Sequence, residues 1–192
     1  FQGDALPKAT FNTYAKMYTK SDEICTFTSD RWSVCIAPSD DGFEHVSFVN
    51  GICTTKGGSH VDHVSGILAN GIIEDMAKKI KLRPQQVKNA FFVFVKATLV
   101  NPSFSSQVKS ECTLKPQDFG SKFEPPKTFI KNILKTGIQS ELMALSKFRE
   151  MKELKKTDGS RKSKITGIPK LDDANKAGTT HSGKCTLIVT EG

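Results

Sequence analysis

Gln107 and Lys109 stand two apart in Asn101–Lys109 (NPSFSSQVK), a polar loop that follows a long apolar stretch. In an extended loop both would point the same way, offering one amide and one ammonium to a phosphate; a solvated lysine is the plainer alternative. Glu191 ends the run Cys185–Thr190 (CTLIVT), which reads as a buried-type strand. A carboxylate at the C-terminal end of a parallel strand lies where α/β sites collect. Lys56-Gly57-Gly58-Ser59-His60 could cradle a phosphate at a helix N-terminus, but it lacks the Walker A spacing, and a tight strand-to-helix turn explains it more simply. His60, Asp62 and His63 supply two imidazoles and one carboxylate, and Asp62 reads better as a capping residue than as a ligand. Lys78, Lys79, Lys81, Arg83 and Lys88 form a basic patch with no acid inside it, and a second basic region runs from Lys147 to Lys164. Neither carries interleaved aromatics, so base stacking is not supported. Phosphate contact and a solvated face both remain open for them.

Composition narrows the classes. The chain has 192 residues and a net charge of +8, from 28 Lys+Arg against 20 Asp+Glu, which suggests an anionic partner. At 37% hydrophobic residues it can bury a core, so wholesale disorder is excluded. Its length fits one domain with a second fragment attached. No stretch approaches the ~18–20 apolar residues of a membrane span. Five cysteines without a CxxC pair, and no glycosylation sequon, favour a reducing, intracellular compartment. Phe1-Gln2-Gly3 looks like the scar of a removed tag.

The elements that would position these groups follow from periodicity. Thr10–Tyr18 is read as a short helix. Arg31–Ala37 places Trp32, Val34 and Ile36 on one face of a strand, and Phe43–Val49 resumes as a strand after the turn at 38–42. The two are expected to form a hairpin. Ser59, with Asp62 three residues on, is expected to cap a helix that runs to about Lys79. Ala90–Val100 is apolar on both faces and therefore central in its sheet. Ser110–Leu114 returns as a short strand. A long helix is expected to follow Pro125-Pro126 as far as about Lys155, kinked or broken at Gly137. A basic linker, Lys155–Lys164, comes next. The chain stops where a strand usually hands over to a loop, an ending expected of a piece cut from a longer chain.

Four stretches in this order resemble one family. Ser47–His60 (SFVNGICTTKGGSH) is similar to the type IIA DNA topoisomerase signature before the transducer helix. Gln107-Val108-Lys109 resembles the family's Gln-Thr-Lys loop, with Val replacing Thr. Gly167–Gly178 (GIPKLDDANKAG) resembles the linker into the metal-binding domain, and Cys185–Gly192 (CTLIVTEG) the first strand of the toprim domain. The style is that of eukaryotic topoisomerase II. The resemblance implies an α/β (α+β) fold, a ribosomal protein S5 domain 2-like transducer with a long C-terminal helix and the first strand of toprim. After a tag scar or leader at 1–5, it implies the transducer at 6–145, the linker helix and basic linker at 146–184, and a truncated toprim start at 185–192.

It also implies roles. Lys109 would reach the γ-phosphate of ATP held by a neighbouring ATPase domain, with Gln107 as its companion. Glu191 would be the toprim glutamate, catalytic and Mg²⁺-binding, with its aspartate partners beyond this chain. Lys78, Lys79, Lys81 and Arg83 would face double-stranded DNA. The whole protein would be a nuclear homodimeric topoisomerase using ATP and Mg²⁺, with this chain between its ATPase domain and its cleavage core and inactive alone. The alternatives are a non-enzymatic basic DNA-binding module, or the transducer of a related ATPase of the bacterial gyrase, mismatch-repair or chaperone type.

Overall fold

The computed structural model describes residues 10–19, 23–77, 80–157, 174 and 176–189. Two compact units are distinguished, Phe1–Ser146 and Lys147–Gly192. Helix α1 (Phe11–Lys16) starts at Thr10, whose side-chain oxygen accepts the Thr13 N–H at 3.1 Å, the usual economy of a Thr cap. Strands β1 (Cys25–Thr28), β2 (Trp32–Pro38), β3 (Glu44–Val49), β4 (Ile52–Cys53) and β5 (Gly57–Gly58) precede α2 (Ser59–Met76) and α3 (Pro84–Asn89). Then come β6 (Phe91–Ala97), β7 (Glu111–Cys112), α4 (Lys127–Ile133) and α5 (Gln139–Thr157). The fold is mixed α/β.

The main sheet has the order β1-β2-β6-β3-β4. Its central strand is β6, as a run apolar on both faces requires. One face, with Phe91, Val93 and Val95, packs into the larger core with Val34, Ile36, Leu68, Ile72 and Ile133. The other, with Phe94, joins Cys35 of β2 and Ala15 of α1 in a smaller cluster. The expected β2–β3 hairpin does not form. Instead β6 lies between them, antiparallel to β2 and parallel to β3. Residues 39–43 therefore cross two strand spacings, roughly 10 Å, and the Ser39 N–H donates to Ala90 O on the way at 3.2 Å. The period-two pattern showed which residues share a face, but it carried no information about which strand fills the gap.

Two further expectations are corrected. The N-cap of α2 is Gly58, not Ser59, and no side chain caps it. The Ser59 hydroxyl is already committed to Cys112 O at 3.3 Å. Residues 185–189 form no strand, and Leu187, Ile188 and Val189 are 80%, 79% and 83% exposed. An apolar strand needs a ladder partner and a covering layer, and no described strand pairs with this one. The expected break at Gly137 is present: Gly137 takes φ 77°, and a wide turn at Leu134–Ile138 separates α4 from α5.

Candidate functional site

The candidate residues Gln107 and Lys109 sit on a small β-hairpin whose legs are residues 103–105 and 111–113. Phe104 and Cys112 form an antiparallel bridge. The Ser105 N–H donates to Glu111 O at 3.1 Å, and the Thr113 N–H to Ser103 O at 2.9 Å. At the tip the Lys109 N–H donates to Ser106 O at 3.0 Å, which closes a turn over Gln107 and Val108. The segment is therefore a tight turn rather than the extended loop expected from composition. Gln107, Val108 and Lys109 are all exposed. Lys109 takes φ 59°, a left-handed conformation, and its ammonium lies 5.9 Å from the centroid of the Phe104 ring.

What holds this hairpin comes from far away in sequence. Gly57 and Gly58 pair in parallel with Glu111 and Cys112, and the Lys56 N–H donates to Ser110 O at 2.9 Å. Gly58 is required there: its φ is 120°, and a Cβ would run into the Cys112 backbone. The Lys-Gly-Gly-Ser turn thus receives a peptide strand, which explains its glycines without a bound phosphate. Upstream of the opposite leg, the chain is held by Asn50. Its side-chain oxygen accepts the Leu99 N–H at 2.8 Å and its amide donates to Leu99 O at 3.0 Å, just where the chain leaves β6. Asn50 and Gly51 have φ 49° and 82°, as a type I′ turn between β3 and β4 demands. Asn50 and Phe104 were not singled out as site residues in the sequence, and Gly58 was considered there only as part of a phosphate-cradling turn. The Asn-Gly dipeptide between apolar runs was a usable signal for the turn, though not for its grip on Leu99.

His60 and His63 do not converge. His60 is fully buried, with Nε2 3.2 Å from Thr54 Oγ1. Thr54 Oγ1 is 2.6 Å from Ser47 Oγ, which donates to Thr54 O at 2.9 Å. One proton assignment uses every contact: His60 Nε2–H to Thr54, Thr54 O–H to Ser47, Ser47 O–H to the carbonyl. It leaves Nδ1, which has no partner, as a bare acceptor, cheaper to bury than an orphaned N–H. His63 instead lies against Trp32 and Phe119, with ring centroids 6.4 and 5.5 Å away. Among the described residues no group of three or more His, Cys, Asp or Glu is placed to share a metal ion.

Burial, helped by the nearby His45, pushes the His60 pKa down to about 4 from an ordinary 6.5. The native state therefore needs this imidazole neutral, while the unfolded chain protonates it near 6.5. Stability is fully present above pH ~6.5 and falls as the pH drops toward 4, by about 3 kcal/mol in all. Denaturant titrations between pH 7.5 and 4 should show this decline, and His60→Asn should flatten it. An equally steep decline in that variant assigns the acid sensitivity elsewhere.

The remaining candidates fall in different places. Lys81 and Arg83 are exposed between α2 and α3, and the Arg83 N–H donates to Gln86 Oε1 at 3.0 Å at the start of α3. Lys78, Lys79 and Glu191 lie outside the described residues, as does most of the basic linker. On α5, Arg149 stands 3.9 Å from Glu153 one turn on, so part of that basic region is engaged with the helix's own acids. Among the described residues, no helix is long and apolar enough to cross a membrane.

A five-stranded mixed sheet with α2 against one face, and a lysine-tipped hairpin held on the Gly57–Gly58 strand, defines the class. Residues 4–153 match the DNA gyrase B family model, and the chain belongs to that family. Within it, the chain is similar to eukaryotic DNA topoisomerase 2. It is 42% identical to the Drosophila melanogaster enzyme over 99% of its own length and 14% of that relative's. Among solved structures it matches the ATPase region of Saccharomyces cerevisiae topoisomerase II with a TM-score of 0.67, at 35% identity over 71% of this chain and 36% of that one. It also matches the ATPase and transducer domains of DNA topoisomerase II from Balamuthia mandrillaris, with a TM-score of 0.68, at 31% identity over 76% of this chain and 38% of that one. The chain thus corresponds to part of the ATPase and transducer region of a type II topoisomerase.

Proposed function

We propose that this chain is the transducer region of an ATP-dependent type IIA DNA topoisomerase, which senses the ATP γ-phosphate through Gln107 and Lys109 and relays nucleotide state to the DNA-cleavage core. One observation carries the reading: Lys109 is exposed at the tip of a hairpin whose 111–112 leg pairs with Gly57 and Gly58 at the head of α2, while Asn50 holds the chain at Leu99 where it leaves β6 for the other leg. A charge held on so short a lever transmits a pull on its tip to the main sheet and α2. ATP presents a γ-phosphate and ADP does not, so a grip on that group differs between the two states, and only a differential contact can shift a conformational equilibrium. The residues fit this one-point contact and not a whole nucleotide pocket; the base and sugar would be held by the neighbouring ATPase domain. Val108, 81% exposed, leaves this loop without the hydroxyl that the family's threonine would bring.

The domain assignment follows the same reading: transducer at 6–145, linker at 146–184, and the start of toprim at 185–192. Glu191 would be the toprim carboxylate that holds Mg²⁺ with acids supplied by the rest of that domain. Lys78, Lys79, Lys81 and Arg83 would approach the phosphates of double-stranded DNA. The whole protein would act as a nuclear homodimer that passes one duplex through a transient break in another. In a plasmid assay the intact protein should relax supercoils only with hydrolysable ATP and Mg²⁺ present, while this chain alone relaxes none. ATP-independent relaxation, or relaxation by this chain alone, overturns the reading.

A further inference from the structure

We propose that Phe104 is a positioning residue that parks Lys109 on its ring when no γ-phosphate is present, and so sets how strongly the switch discriminates ATP from ADP. The inference rests on the reading of Lys109 as the phosphate sensor. Phe104 lies on one leg of the hairpin and Lys109 at its tip, and the hairpin is closed by the Phe104–Cys112 bridge and the Ser105–Glu111 hydrogen bond. The left-handed backbone of Lys109 accompanies a side chain turned back along the hairpin, its ammonium 5.9 Å from the ring centroid. That distance falls within the reach of a cation–π attraction. The ring itself is not free to follow the lysine. Phe104 is half-buried, packed against the larger core, and its backbone is tied to Cys112, which pairs with Gly58.

Two partners therefore compete for one ammonium. The ring offers a weak, permanent contact; the γ-phosphate offers a stronger one that exists only while ATP is intact. Parking lowers the fraction of molecules whose lysine is ready for phosphate, and apparent affinity falls by that fraction. It also gives the released lysine a defined place to return to after hydrolysis. Because the lysine reaches only the γ-phosphate, the effect should be confined to ATP. Val108 and Gln107, exposed at the tip, provide no competing aromatic face.

The test uses the intact protein and measures the affinity of a non-hydrolysable ATP analogue and of ADP. Phe104→Leu keeps apolar packing but removes the π face. It should tighten the ATP analogue about two- to fivefold and leave ADP unchanged, while Phe104→Tyr, which keeps the face, should behave as the wild type. A general loosening of the hairpin's surroundings would move both nucleotides, so equal shifts overturn the proposal, as does an unchanged or weakened ATP analogue. Lys109→Ala separates the two levels of inference. In that background Phe104→Leu should have no further effect. If Lys109→Ala itself leaves ATP hydrolysis and affinity untouched, the sensor reading fails; if it acts while Phe104→Leu matches the wild type, only the parking role fails.

Discussion

Lys109→Ala in the intact protein is expected to cut ATP hydrolysis and ATP-driven strand passage by about 10- to 150-fold, the loss of one charge-assisted bond to phosphate. DNA cleavage that does not need ATP should persist. The side chain is exposed, so little packing is lost. Its backbone at φ 59° is the one structural complication, because alanine accepts that conformation less readily than glycine. Lys109→Gly supplies the control: it relieves the backbone and still removes the ammonium, so both variants should share the defect at unchanged thermal midpoint. Wild-type strand passage in the pair rejects the switch role. The expectation depends on where the lysine sits. On a free loop it could be replaced by any nearby lysine, whereas on a closed hairpin paired with Gly57 and Gly58 its position is part of the device.

Gly58→Ala is expected to be the most damaging single methyl in the described structure. Gly58 has φ 120° and ψ −166°, a region essentially reserved for glycine that costs roughly 1–3 kcal/mol for other residues. The added Cβ also runs into the Cys112 backbone, which is fixed in the β5–β7 ladder and cannot rotate aside as a side chain would. Overpacking of that kind adds about 1–3 kcal/mol. A loss of roughly 2–6 kcal/mol should appear as a lowered denaturant midpoint at pH 7.5. Gly66→Ala, inside α2 with open space around its Cβ position, should be neutral or gain up to about 1 kcal/mol. Comparable losses in both would show that a general intolerance of glycine replacement, and not the Cys112 contact, is responsible. The same lesion should loosen the Lys109 hairpin, so any residual ATP hydrolysis should fall further than the stability loss alone accounts for.

Much of the fold was legible because it is local. The short helix after Thr10, the two-sided apolar run of β6, the helical spacing of α2 and the break at Gly137 are each written within a few residues, where sterics and burial act directly. The order of motifs carried the family, because a glycine pair and a Gln-x-Lys loop at fixed places along the chain are specific in combination. The candidate lysine was legible as a type of residue in a type of loop. Its hairpin was not, because the bridges that make it join Phe104 to Cys112, and that leg in turn to Gly58.

By itself, then, the amino-acid sequence determined much of the inventory within the first unit: which faces of β2, β6 and α2 are apolar and where the chain breaks at Gly137. Only the tertiary structure decided the pairings. It placed β6 between β2 and β3, turned the polar Ser47 and His60 inward onto Thr54, and gave the glycine turn a peptide strand in place of a phosphate. The physical reason is that periodicity reports how one segment divides between core and water, whereas ladder partners and buried polar chains are chosen among segments tens of residues apart. At Gly58 both levels meet: the residue type announces an unusual backbone, and the fold supplies the Cys112 carbonyl that makes it necessary.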